Sequence, residues 1–260
     1  PQDTDAWYRL WEGGAFDAQQ IDAYLERWQH RFDLFDADHP FYQTPDSRVK
    51  SKAVNSLILD LAFGNKATLF DHNTDEGNVA LTPAEAARAL VTAQAFGLAG
   101  LSGLPEKFTD GVCARGILFL TQGDTLFETL LLNLLRYPTE DDVLPHHTGD
   151  CPAWEMDALP SGHTHPLGYL DYLTWQNRRI LLLPEMTGKG IVIKQMTMAP
   201  GLRINADVLD PMKHYRRDEK RGYLVQRFSE ERALWRDSAA LFKLKSKDFR
   251  PPVKIGRANV

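Results

Sequence analysis

The chain has 260 residues, of which 43% are hydrophobic and 25% charged, and its formal net charge is −5. This composition is typical of a globular protein with a sizeable core, and no apolar run approaches the ~18 residues that cross a membrane. Two cysteines, Cys113 and Cys151, are too few for a disulfide scaffold and fit a reducing compartment. We therefore expect a cytoplasmic protein without a membrane partner.

Charge is distributed unevenly along the chain. Residues 213–260 hold 14 Lys/Arg against 6 Asp/Glu, a balance of +8, whereas residues 1–212 carry −13. We do not expect the whole surface to attract nucleic acid. A local basic contact near the C-terminal end stays open, beside the simpler interpretation of a solvated charged tail.

Two helices are predicted in the first quarter of the chain. Asp17 and Gln20 form a capping box ahead of an apolar stripe at helical spacing. Residues 53–63 predict a second helix, which Gly64 ends. The stripe of the first helix consists of Ile21, Tyr24, Leu25, Trp28 and Phe32. Trp7, Trp11 and Trp28 could be stacking platforms, but their helical spacing beside other apolar residues favours a position in the core.

Two further helices have clear start signals. Thr82-Pro83-Ala84-Glu85 combines an N-cap, a proline at the first helical position and a box-closing glutamate, and this helix runs to about Phe96. Thr125 and Glu128 open another helix, LFETLLLNLL. Its apolar residues lie on almost all sides, which predicts a central position.

Strand-like segments follow in the second half. Helices first and scattered strands later do not give the regular alternation of a doubly wound sheet. We predict an irregular α+β fold, mostly helical in its first half, with small antiparallel or mixed sheets in its second half. With no repeats or low-complexity linker, residues 1–260 are expected to form a single domain. The predicted strands are 116–122, 178–184, 190–198 and 222–228, and a helix is predicted from about Ser229.

The candidate chemistry is sparse. No GxSxG, P-loop, dinucleotide-binding glycine pattern or HExxH motif is present, so we expect no cofactor. The adjacent Asp71 and His72 could pair as a base and its orienting group, but a polar loop explains both residues without catalysis. A set of metal-ligand residue types lies in Pro/Gly-rich loops without recognised zinc spacing, namely His146, His147, Asp150, Cys151, His163 and His165.

The stretch FGLAGLSG carries glycines at every third position, Gly97, Gly100 and Gly103, just after a predicted helix. Glycine lets a backbone approach a phosphate, a ligand or a groove floor closely. A helix C-cap followed by a tight packing loop is the simpler interpretation, and the two are compatible.

An ordered set of short motifs runs through nearly the whole chain. The motifs are HPFYQT at 39–44, ATLFDH at 67–72, TLFETLLLNLL at 125–135, PAWE at 152–155, LTWQ at 173–176 with Arg178 and Arg179, DPM at 210–212 and ALWRD at 233–237. This order resembles the CasA family, the large subunits of the type I-E CRISPR surveillance complex called Cascade. The HPFYQT and LTWQ-R-R segments are the most telling parts of the resemblance.

The resemblance implies a protein without enzyme activity. CasA-like subunits bind the 5′ end of the guide RNA, inspect target double-stranded DNA for the protospacer-adjacent motif and recruit a helicase-nuclease. The expected partners are therefore the other Cascade subunits, guide RNA, target DNA and that effector. The chain is expected to be most of a CasA N-terminal domain, with the family's N-terminal segment and C-terminal helical bundle outside it. A metal-dependent hydrolase using His146, His147, His163 and His165, or a purely structural interaction protein, are the alternatives.

The resemblance also implies particular contacts. The aromatic residue of the family's guide-docking loop corresponds to Phe70, which Asp71, His72 and Asn73 follow. The family's glycine loop, which approaches the DNA minor groove, corresponds to residues 97–103. Its minor-groove cation corresponds to Lys194 or Arg203, and the sequence leaves that choice open.

Overall fold

The computed structural model describes residues 4–58, 79–134, 144–145, 147–159, 162–227 and 249–250. The chain divides into two compact units. Unit 1 comprises residues 1–25, 115–148 and 205–260, and unit 2 comprises residues 26–114 and 149–204.

Five α-helices and six strands are present in the described residues, together with three short 3-10 helices. The helices are α1 (Thr4–Gly13), α2 (Ala18–Trp28), α3 (Pro83–Phe96), α4 (Leu126–Leu132) and α5 (Tyr169–Leu173). The strands are β1 (Lys52–Ala53), β2 (Arg178–Thr187), β3 (Gly190–Pro200), β4 (Tyr215–Asp218), β5 (Gly222–Val225) and β6 (Phe249–Arg250).

Unit 2 is built on a long antiparallel hairpin. β2 pairs with β3 from Arg178 opposite Pro200 to Thr187 opposite Gly190, and β1 adds to the other edge of β3. Along β2, alternate residues such as Ile180 and Leu182 face a hydrophobic core, as a period of two requires. A register shift between Leu183 and Pro184 interrupts the alternation in β3. Ile180 and Ile193 are completely buried in that core.

Helix α3 packs its buried face into the same core. The Thr82 side chain accepts a hydrogen bond from the Glu85 backbone N–H, and the Glu85 carboxylate accepts one from the Thr82 N–H, so the predicted capping box is confirmed. Leu90 is completely buried, and Gln94 near the C-terminal end of the helix is 1% exposed. The predicted helix from Thr82 to Phe96 is therefore confirmed.

The HPFYQT segment extends the hairpin at its β2 edge. The Thr44 backbone N–H donates to the Ile180 carbonyl (3.0 Å), and the Leu182 N–H donates to Gln43 Oε1 (2.7 Å). Tyr42 adopts a left-handed backbone conformation with φ of 56°. The motif therefore has a clear structural role beside the sheet.

Unit 1 contains a second antiparallel sheet, in the order β5-β4-β6. Its α1 and α4 are linked by a hydrogen bond from Trp7 Nε1 to the Leu131 carbonyl (3.1 Å). The ring of Phe16 packs edge-on against Phe127, with centroids 4.8 Å apart. The fold class predicted from the sequence, α+β with small sheets, is confirmed.

Several local predictions were wrong. Residues 54–57 form a 3-10 helix after β1, and Ile58 is extended, so the described part of the predicted 53–63 helix is not α-helical. Within 116–122, only an isolated bridge from Leu118 to Lys213 forms, in place of a strand. In both segments, the backbone N–H and C=O groups form their hydrogen bonds in short turns and single bridges, and not in the regular elements that the periodicity predicted.

The predicted burial of α4 and of three tryptophans was also wrong. Leu131 is buried, but Leu126 is 74% and Leu130 51% exposed. Helix α4 therefore buries only part of its apolar surface and is not central. Trp11 stacks on Trp7, with ring centroids 5.4 Å apart, and is 38% exposed. Trp7 and Trp28 are half-buried.

The helix predicted from Ser229 lies outside the described residues. Strands 178–184, 190–198 and 222–228 correspond to β2, β3 and the shorter β5. In the part of the chain that the structure describes, no helix is long and apolar enough to cross a membrane.

Candidate nucleic-acid interface

Residues 97–111 leave the end of α3 and return beside it. This longer segment contains the predicted minor-groove stretch 97–103 and is called the glycine loop from here on. The Gly111 N–H donates to the Gly97 carbonyl (2.7 Å) and closes the neck of the loop. Further out, Gly100 and Phe108 exchange two backbone hydrogen bonds of 3.3 and 3.0 Å. These bonds across the two arms give the loop a defined conformation.

Gly97 makes a close approach inside the protein. It is the C-cap of α3, with φ of −60° and an N–H that donates to the Ala93 carbonyl. A Cβ on Gly97 would lie 2.2 Å from Arg178 Cζ and 2.5 Å from the Ala93 oxygen. The missing side chain of Gly97 therefore makes room for the Arg178 guanidinium, and the C-cap interpretation of this glycine is confirmed.

Gly100 and Gly103 are open positions. Both glycines are exposed, and a Cβ added to either would meet no atom within 4 Å. Gly103 has φ of +77°, a conformation that disfavours other residues, so its backbone explains the glycine. Gly100 is not in the left-handed region, so neither its space nor its backbone requires a glycine.

Arg178 ties the two arms of the loop together from below. Its side chain is buried, with the residue 5% exposed, at the start of β2. Nη2 donates to the Leu98 carbonyl (2.7 Å) on the outgoing arm, and Nη1 donates to the Thr109 carbonyl (3.4 Å) on the returning arm. The guanidinium also lies 5.5 Å from the centre of the Phe108 ring. Burial lowers the pKa of Arg178 to about 10, opposed by the nearby Asp110 carboxylate.

The two candidate cations have different surroundings. Lys194 Nζ forms an ion pair with Glu185 (3.0 Å) on the neighbouring strand. Lys194 precedes Pro200, the partner of Arg178, by six residues, about 20 Å along the strand at ~3.3 Å per residue. It therefore lies well along the hairpin from the Arg178 end, at which the loop is held.

Arg203 follows the end of β3 that lies beside the loop. The backbone N–H of Gly201 donates to the Asn177 carbonyl (2.9 Å), and Asn177 Nδ2 donates to the Thr109 carbonyl (3.4 Å) of the glycine loop. Arg203 is exposed, and no ion pair is formed by its side chain within the described ranges. The segment that carries Arg203 is thus linked to the loop through one residue.

The predicted docking-loop residues Phe70, Asp71, His72 and Asn73 lie outside the described residues. The described residues on either side, Ile58 and Val79, pack against the core of unit 2. Two positions further on, Leu81 exchanges backbone hydrogen bonds of 2.9 and 2.8 Å with Ile193 of β3.

The described members of the predicted metal set have other roles. The Asp150 carboxylate accepts hydrogen bonds from the backbone N–H groups of Leu170 and Asp171 at α5. His163 Nε2 lies 2.7 Å from Asp171 Oδ2, and its ring stacks on Trp175.

The other members of the set do not join them. His147 is exposed, and His165 Nδ1 lies 3.0 Å from the neighbouring Thr164 hydroxyl. Burial raises the pKa of the Cys151 thiol, and Cys151 and Cys113 are both unbridged. Among the described residues, no three His, Cys, Asp or Glu side chains come together to hold a metal, and His146 lies outside them.

Sequence reasoning noted Arg178 only as part of a motif and missed its contact with the glycine loop. One signal was available, since a cation at the start of the apolar strand RRILLLP has to find polar partners if it is buried.

Comparison with known proteins gives a consistent family. Residues 1–259 match the family model of the CRISPR-associated protein Cse1. A CasA/Cse1 protein of Thermus thermophilus is 39% identical over 253 residues, covering 93% of this chain and 47% of that protein. The chain therefore belongs to the Cse1 family, and the resemblance to CasA is confirmed.

Solved structures agree with that assignment. The crystal structure of Cse1 from Acidimicrobium ferrooxidans is similar with a TM-score of 0.78 and 31% identity, covering 98% of this chain and 51% of that one. A chain of a CRISPR RNA-guided surveillance complex is similar with a TM-score of 0.76 and 26% identity, covering 96% of this chain and 52% of that one. The chain spans about half the length of these relatives.

Proposed function

We propose that this protein acts within a type I-E CRISPR surveillance complex, Cascade, as a subunit without enzyme activity. Its role is to dock the 5′ handle of the guide RNA, to help recognise the protospacer-adjacent motif in target duplex DNA, and to help recruit the helicase-nuclease. Family membership and the likeness to a chain of an RNA-guided surveillance complex support this proposal.

Gly100 carries the DNA-recognition part of the proposal. It is exposed on a loop whose arms are hydrogen-bonded to each other, and nothing within the described protein excludes a Cβ there. A glycine that the protein itself does not need is explained by an outside surface that approaches the backbone closely. The floor of the DNA minor groove is such a surface, because a backbone without a Cβ can come close to the base edges there, while the Gly100 N–H itself stays bonded to the Phe108 carbonyl.

Arg203 is the cation that we assign to this contact. It is exposed and belongs to the segment that touches the loop through Asn177, whereas Lys194 is paired with Glu185 further along the hairpin. A guanidinium beside the loop suits the negative potential of the minor groove. Guide-RNA docking is assigned to Phe70 by resemblance, with stacking on an unpaired base worth ~1–3 kcal/mol.

A matched pair of glycine variants tests the proposal. Gly100→Ala and Gly188→Ala both add a methyl group where no atom lies within 4 Å, and neither glycine is in the left-handed region. Gly188 lies in the turn between β2 and β3, at the far end of the hairpin from Arg178.

Binding is measured with assembled Cascade and duplexes carrying a matched or a scrambled motif. We expect Gly100→Ala to weaken binding of the matched duplex by about tenfold, the size of one lost groove contact, and Gly188→Ala to leave it unchanged. Equal behaviour of the two variants would contradict the groove contact.

Salt dependence separates this role from a purely structural interaction. A cation bound in the minor groove displaces a condensed counterion, so Arg203→Ala should make the negative slope of log affinity against log salt concentration shallower by about one. Lys194→Ala is the comparison variant and should leave the slope unchanged. A slope that is the same for both variants and the unmodified complex would remove Arg203 from the interface.

A further inference from the structure

We infer that Arg178 is the positioning residue of the glycine loop and sets how well the complex distinguishes a matched motif from other DNA. This inference rests on the proposed function and adds to it a buried residue that would not contact the DNA.

The backbone of Arg178 is fixed before its side chain begins. Gln94 Nε2 donates to the Arg178 carbonyl (2.7 Å), and the Arg178 N–H donates to Gln94 Oε1 (3.1 Å). Gln94 belongs to α3 and is 1% exposed. This reciprocal pair of hydrogen bonds joins the end of α3, from which the glycine loop leaves, to the start of β2, which carries the Arg178 side chain.

The side chain then holds both arms of the loop with one rigid group. A guanidinium is planar, and its donors have fixed directions, so bonds to the Leu98 and Thr109 carbonyls hold both arms in one position relative to β2. The backbone bonds across the arms join the arms to each other, and Arg178 joins them to the hairpin. Gly97 gives the group its space. A lysine ammonium could reach one carbonyl but could not impose this geometry on two.

The energetics indicate a role other than simple stabilisation. Arg178 is 5% exposed, and its described partners are two backbone carbonyls and the Phe108 ring. The Asp110 carboxylate is near, but Arg178 forms no ion pair within the described ranges. Its lowered pKa of about 10 reflects this burial, and the side chain stays charged at neutral pH. Burying a cation in this way is costly, and apolar residues of similar size often serve stability equally well.

The loop that Arg178 holds presents its side chains outward. Leu98 is 64% and Leu101 84% exposed, on either side of Gly100. The backbone of Gly100 can meet a groove floor only if both arms keep their positions. Without the Arg178 contacts, the loop would still touch DNA, but its position relative to β2 would no longer be fixed to fit one groove shape.

The test compares two neighbouring arginines in assembled Cascade. Arg178→Lys keeps the charge and removes the two-armed contact. Arg179→Lys makes the same change one residue along β2, where the side chain is partly exposed and lies 3.9 Å from Asp46. Binding to matched and scrambled duplexes is measured at one salt concentration, with hydrogen exchange of the amides of residues 98–111 followed in parallel.

For Arg178→Lys, we expect faster amide exchange in the loop and roughly tenfold weaker binding of the matched duplex, with scrambled-duplex binding unchanged. Arg179→Lys should change neither readout. Arg178→Met, which leaves an apolar side chain of similar length, should reproduce the loss of discrimination, and it provides the test if the lysine variant does not fold.

Two results would overturn the inference: unchanged discrimination when loop exchange has increased, or an equal loss in the Arg179 variant. Failure of the proposed function is recognised separately, because the unmodified complex would then bind both duplexes equally. A third outcome refutes only the positioning role of Arg178. In that outcome, the unmodified complex discriminates between the duplexes, Gly100→Ala lowers the discrimination, and Arg178→Lys leaves it unchanged.

Discussion

Replacing Gly97 by alanine tests the contact between the glycine loop and Arg178 in the isolated protein, without DNA or other subunits. The new Cβ would lie 2.2 Å from Arg178 Cζ, where carbon atoms are normally ~3.5–4 Å apart, so the guanidinium has to move by more than an ångström. Overpacking of this kind costs ~1–3 kcal/mol. Losing the 2.7 Å bond from Arg178 to the Leu98 carbonyl adds ~1.5–3 kcal/mol. Partial relaxation of the arginine brings the expected loss in unfolding free energy to about 3 kcal/mol.

Gly100→Ala is the matched control, because its methyl group meets nothing. The main effect of this change is then a lower conformational entropy of the unfolded chain. It stabilises the folded protein by ~0.4–1 kcal/mol where the backbone conformation permits alanine. Urea unfolding of the two variants should therefore give changes of opposite sign. The double variant Gly97→Ala/Arg178→Ala should lose less than the sum of its single changes, since the clash with the guanidinium is gone and only the close contact with the Ala93 oxygen remains. Equal unfolding free energies for Gly97→Ala and Gly100→Ala would refute the assigned contact.

Three further changes test the fold of unit 2. The hydrogen bonds from Arg48 lower the pKa of Asp46 to about 2. The stabilisation of the fold by the Asp46 carboxylate is therefore complete above the unfolded pKa of 3.8 and disappears as the pH falls toward 2. The difference in unfolding free energy between the unmodified protein and Asp46→Asn should shrink over that window, and a constant difference from pH 5 to pH 2 would contradict the lowered pKa. Thr82→Ala removes the N-cap bond to Glu85 and should cost ~1 kcal/mol in urea unfolding, whereas no loss would mean that the cap contributes nothing. Ile193→Ala leaves a cavity at a fully buried site and should cost ~2–5 kcal/mol, and a loss below ~1 kcal/mol would place this residue outside the core.

Local signals predicted the parts of the fold that local physics controls. The capping box at Thr82 and Glu85 and the apolar strands around Ile180 and Ile193 were readable, because each depends on neighbours in sequence or on simple alternation. The residues after Ala53 and the segment around Leu118 were misread. Their apolar composition fits several backbones, and the choice depends on tertiary partners such as Lys213.

The candidate site was predictable in part. The run of glycines indicated a close approach, but it did not show that Gly97 faces Arg178 while Gly100 faces outward. That distinction depends on a contact across about 80 residues of chain, which spacing does not encode. Our proposal of Arg203 over Lys194 likewise rests on the ion pair to Glu185 and on the register of the hairpin, which spacing along the sequence does not encode.

We propose above all that this protein makes the binding of target DNA by Cascade depend on the protospacer-adjacent motif. The most direct measurement is the affinity of Cascade for matched and scrambled duplexes, with and without this protein, at fixed salt concentration, because phosphate contacts vary steeply with salt. We predict that adding the protein strengthens binding to the matched duplex by at least about tenfold more than to the scrambled one. An equal increase for both duplexes, or no increase for either, would contradict the claim.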